Sequence, residues 1–222
     1  MSPLRKTALV AGVLYLLTFV SIPTLALYGS VHDPNYIVGP GSNTPVLVGG
    51  VLEVIVALAG IGTAVVLYPV VKRQNEAVAL GFVSARVLEA ATIFVGVASL
   101  LAVVTLRQAG AGPDALVTGQ ALVALYDRIF LLGQSFIPAM NALLLGSLLY
   151  QSRLVPRVLP VLGFIVAPML VASDLAVLFG VVERVSALPA IATLPIALWE
   201  FSLGVYLTVK GFRPSPITAG MV

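Results

Sequence analysis

Six stretches of the chain, at about 8–29, 46–71, 78–107, 119–151, 158–182 and 190–210, are almost continuously apolar. The short segments between them carry turn formers and most of the charge. Each stretch supplies the roughly 20 residues that a helix rising 1.5 Å per residue needs to cross a hydrocarbon core of about 30 Å. The runs show no period-two alternation, which excludes the strands of a membrane barrel, so the backbone must bond within helices. The pattern predicts an all-α fold, a six-helix transmembrane bundle forming one integral membrane domain over residues 1–222. The third and fourth stretches exceed a minimal span and must tilt, kink or project beyond the lipid.

Composition agrees with this pattern. Of 222 residues, 59% are hydrophobic and 9% charged, with a mean hydropathy of +1.09. Such values lie outside the range of soluble domains. Arg5, Lys6, Lys72, Arg73, Arg153, Arg157, Lys210 and Arg213 fall on one side of the predicted spans, and Arg107 and Arg184 on the other. The positive-inside rule then puts both termini in the cytoplasm of a multi-pass protein of the cell (inner) membrane. The first span follows a basic segment, as a signal peptide would, but its apolar run is too long and its removal would leave five spans; cleavage is not expected. The net charge of +3 is strung along helix ends, with no patch or motif for nucleic acid.

Inside the apolar stretches stand five acids, Glu53, Glu89, Asp127, Asp174 and Glu200, and two bases, Arg86 and Arg128. A charge in hydrocarbon costs at least about 2.5 kcal/mol, so an excess of acids demands protons, water or a bound cation. Counting 1.5 Å per residue puts all five acids roughly 10–15 Å below the outer boundary, in one layer. Arg86 and Glu89, three apart, neighbour each other on the third helix. Asp127, Gln134 and Asn141 recur every seven residues and predict a polar stripe down one side of the fourth, with Pro138 beside it. Around Glu53, the small residues Gly50, Ala57, Gly60 and Ala64 permit close helix approach.

Pro23, Pro138, Pro168 and Pro195 interrupt four spans, each removing a backbone donor. The loop 30–45, with Gly, Pro and Asn, and the loop 108–118, with Gly110, Gly112 and Pro113, can each lid an outward-facing cavity. Tyr28, Tyr68, Tyr150 and Tyr206 fall near span ends and read as interfacial anchors, whereas Trp199 falls mid-span and reads as core.

These features point to binding or proton-coupled transport of a small cationic or amphipathic solute in an acid-lined, outward-facing pocket. The candidate site comprises Glu53, Arg86, Glu89, Asp127, Arg128, Gln134, Asn141, Asp174 and Glu200, with the arginines tuning the acids. Two alternatives stay open: a structural or signalling subunit with a buried ionic packing layer, and a carboxylate-based lipid-modifying enzyme. With no cysteine and a single His32 in a loop, zinc sites and His-based triads are not available. No nucleotide-binding fingerprint occurs, and no metal or cofactor is called for. The expected partners are the lipid bilayer, the small ligand, and a second copy or another membrane protein.

Arg5-Lys6-Thr7-Ala8 leading into Ala11-Gly12-Val13-Leu14-Tyr15-Leu16, and Trp199-Glu200-Phe201 with Gly204, Leu207 and Lys210-Gly211-Phe212, resemble domain of unknown function family 4386. That family comprises small bacterial multi-helix membrane proteins. The resemblance implies a six-helix architecture and a family role for Glu200, and no reaction, substrate or cofactor.

Overall fold

The computed structural model describes residues 1–183 and 186–221; Arg184, one of the basic residues used for topology, lies outside the described residues, and the side chains of residues 187, 188 and 190 are not described either. The described residues are helical with no strand, and six helical segments are long and apolar enough to cross a membrane: Pro3–Leu27, Thr44–Val71, Glu76–Gln108, Pro113–Ser152, Val158–Leu178 and Ile191–Val209.

Local chemistry sets where these helices begin and end. Ser2 caps α1 (Pro3–Leu17) by accepting from the Arg5 N–H at 3.4 Å, a long contact. Pro23 then prevents continuation, so the span finishes as a tight turn and the short α2 (Thr24–Leu27). The span α3 (Thr44–Val71) runs unbroken. Asn75, in extended geometry, caps α4 (Glu76–Gln108) through the Val78 N–H. The fourth span is composite: α5 (Leu116–Phe130), a π-helical turn at Leu131–Ser135, and α6 (Phe136–Ser152). Pro138 explains the turn, since it has no N–H and its ring crowds the carbonyl four residues back, that of Gln134. α6 stops at Arg153, which takes the left-handed conformation at φ 58°. Then follow α7 (Val158–Leu178) and α8 (Ala187–Val209), with Pro168 and Pro195 inside them.

Consecutive spans are neighbours, and the ring closes where α1 packs on α8; α5 leans outside it, against α4. Val51, Leu58 and Val65 point out from α3, and Ile165 and Met169 from α7, as residues facing lipid tails would. The inward faces form the core, centred on Phe82, Leu145, Leu149, Leu170, Trp199 and Leu203. Glycines let backbones touch at the closure: a Cβ on Gly12 would strike Thr208 and the Gly204 carbonyl. Arg5 fastens the same seam by donating to the carbonyls of Leu207, Thr208 and Val209 at the end of α8. The two ends of the chain therefore lie at one end of the bundle. Trp199 is core, as expected, with its indole N–H donating to the Leu159 carbonyl at 2.8 Å and its ring filling the notch at Gly163.

Candidate functional site

Arg86 is 3% exposed and reaches into the middle of the ring. Its Nη1 donates to Glu89 Oε2 at 3.0 Å, one helical turn away on α4, and its Nη2 donates to Glu200 Oε1 on α8 at 2.7 Å. Asn141 of α6 donates from Nδ2 to the same Glu89 Oε2 at 2.7 Å. The guanidinium stands over the Tyr15 ring of α1 at 5.4 Å and the Phe82 ring at 5.8 Å, and its methylenes pass the Gly60 notch of α3. One arginine thus joins residues from five of the six spans.

The charges in this group do not balance. A single guanidinium faces two carboxylates. Arg86 Nε, the Tyr15 hydroxyl and Asn141 Oδ1 are buried and do not meet full hydrogen-bond geometry, although Tyr15 stands beside the guanidinium. The Glu89 and Glu200 side chains remain 11% and 15% exposed, against 3% for Arg86.

The other expected site residues are distributed differently from a single layer. Glu53 is fully buried and accepts from Tyr126 Oη at 2.8 Å, with Gln134 and Tyr28 beside it. Asp174 is buried against the π-helical turn, where Ser135 Oγ donates to its Oδ1 at 2.6 Å and its Oδ2 has no partner. Asp127 pairs with His32 of the 30–45 loop at 3.1 Å, at the rim of a pocket of about 260 Å³ also lined by Asp33, Gln120 and apolar residues of the loop and α5. Arg128 is exposed and forms no ion pair among the described residues. The reason lies in α5: leaning outside the ring, it buries a narrow face at Gly119 and Tyr126, and Arg128 falls about 200° around from Tyr126 at 100° per residue. The acids accordingly form separate groups, and of the expected residues the pocket under the 30–45 loop holds Asp127.

Three contributors escape a reading of the sequence. Tyr28, placed there as an interfacial anchor, is buried against Glu53; Tyr126 and Ser135 carry no charge and drew no attention. Signals for the tyrosines exist in the glycines that receive them, Gly49 one turn before Glu53 and Gly96 on α4. Among the described residues no cluster of His, Cys, Asp and Glu is arranged to hold a metal. The His32 ring also meets the Tyr28 carbonyl through Nδ1 at 2.8 Å, tying the loop to the first span.

No curated protein and no solved structure matches the chain. A family model does, over residues 10–211, and it takes in all nine candidate site residues. The chain is a multi-pass membrane protein that belongs to the domain of unknown function family DUF4386.

Proposed function

We propose that this protein binds a small cationic or amphipathic solute within the cell membrane and carries it in exchange for protons, with both termini in the cytoplasm. The observation that supports this reading is the ratio at Arg86, two carboxylates on one guanidinium. Arg86 can neutralise one of them, and the other is stable in a low-dielectric interior when it holds a proton or meets a cation. Proton and solute then compete for the same oxygens, which is the minimum chemistry for exchange. The orientation follows from the basic residues gathered at the end of the bundle where Arg5 meets α8.

Ethidium, a fluorescent planar cation, is a suitable probe for the purified protein in detergent. Binding tightens as pH rises, because protons leave the carboxylates. Glu89→Gln and Glu200→Gln each weaken binding by at least about tenfold and flatten its pH dependence. Parental affinity at every pH in both variants overturns the proposal.

A second reading rests on a different aspect of the same group. The arginine links α4 to α8, while Asn141 links α6 to Glu89, a clasp that a structural subunit would need. On that reading the two variants lose thermal stability and retain ethidium binding. A carboxylate-based enzyme gains no support, since the guanidinium bridges the two acids that would have to flank a substrate.

A further inference from the structure

Glu53 stands apart from the Arg86 group. Arg86 reaches α3 at Gly60, two turns further along, and its terminal nitrogens are committed to Glu89 and Glu200. Among the described residues Glu53 forms no ion pair. On the loop side, His32 and Asp127 meet each other at 3.1 Å.

The surroundings of this carboxyl are built to hold two phenols. A Cβ on Gly49 would run into the Tyr28 ring, and a Cβ on Gly96 would stand 3.2 Å from Tyr126 Cδ2, so each ring occupies a notch that glycine leaves on α3 or α4. The rings meet edge to face with centroids 5.4 Å apart. Tyr126 Oη donates to Glu53 Oε1. At the other oxygen the hydrogen bonding is incomplete: Glu53 Oε2 and the neighbouring Tyr28 Oη are both buried and do not meet full hydrogen-bond geometry, although Tyr28 and Gln134 both stand against the carboxyl.

Either phenol can donate to a carboxylate or to an acid, and burial selects the acid: Glu53 is 0% exposed and forms no ion pair among the described residues. In the acid, Oε1 is the carbonyl oxygen that accepts from Tyr126, and Oε2 carries the proton that supplies a donor toward the Tyr28 oxygen. An ionised group would keep a full charge in a buried setting with no cation paired to it among the described residues. We propose that Glu53, clamped between Tyr28 and Tyr126, is a second proton-binding site, occupied at neutral pH and independent of the Arg86 group. Its exchange route is the loop end of the bundle, because Tyr28 lies on the segment that His32 fastens to Asp127.

Infrared spectroscopy of the purified protein at neutral pH tests this without any solute. The parent shows a protonated-carboxyl C=O stretch that shifts in deuterium oxide and is missing from Glu53→Gln; identical carboxyl regions in the two proteins overturn the proposal. Tyr126→Phe keeps the acid and removes the donor to Oε1, so it moves the band to higher frequency, and an unmoved band rejects the phenol clamp even if Glu53→Gln fails to fold. Loss of the band on adding sodium chloride would assign a cation site instead and equally overturn it. Failure of ethidium binding leaves these bands unaffected, so the two proposals fail separately.

Discussion

Arg86 is the residue whose loss most disturbs the interior. Removing one member of a buried ionic group strands the others, and Arg86→Gln would leave Glu89 and Glu200 facing each other without a cation. We predict a destabilisation of about 3–5 kcal/mol, measured as unfolding in detergent, partly relieved when Glu200→Gln is added. Asp127→Asn, which alters a pair with about a third of each side chain exposed, costs less than about 1 kcal/mol in the same assay. The Arg86 group was legible in the sequence because its logic is charge in an apolar run plus helical spacing: Arg86 and Glu89 at three apart, Asn141 on the stripe of the fourth span, and Glu200 beside Trp199. The Glu53 cage was not, since a tyrosine near a span end looks the same whether it faces headgroups or an acid. Arg128 misled for the converse reason, as its position inside an apolar stretch says nothing about which way a helix outside the ring turns it.

At the scale of the element, the fourth span decides which polar residues meet. The wide turn at Leu131–Ser135 sets Gln134 near Glu53 and Ser135 against Asp174 before α6 resumes and brings Asn141 to Glu89. Gly133 makes the turn possible, because a Cβ there would collide with Thr92, whose hydroxyl donates to the Glu89 carbonyl on α4. Gly133→Val should cost about 1–3 kcal/mol through overpacking, read as a lower midpoint of thermal unfolding. It should also weaken ethidium binding by displacing Glu89, whereas Gly110→Ala, at a loop glycine with nothing near it, alters binding little. A sequence announces the proline that breaks a helix. It does not announce the form of the break: Pro138 produces a π-helical turn, while Pro168 and Pro195 remain inside helices that continue.

On the scale of the whole molecule, the ring of spans brings together the residues at the two ends of the sequence that carry the resemblance. Arg5, Gly12, Gly204, Leu207 and Gly211 all meet at the seam of α1 and α8; Gly211 takes φ +75° against the Arg5 side chain. What looks like two terminal motifs is one closure, with Glu200 projecting from it to Arg86. Hydropathy predicted the number and limits of the spans because lipid allows few alternatives, whereas their order around the ring depends on glycine contacts that no periodicity reveals. As the chain has no cysteine, single cysteines report sidedness directly: a membrane-impermeant maleimide should label Ala111→Cys from outside intact cells and Gln74→Cys after disruption. The account as a whole predicts an exchange of charge at the Arg86 group, and counting protons tests it most directly. In weakly buffered detergent solution with a pH-sensitive dye, ethidium binding should release about one proton per cation from the parent and none from Glu200→Gln. Cation binding without proton release in the parent, or equal release from the variant, would contradict it.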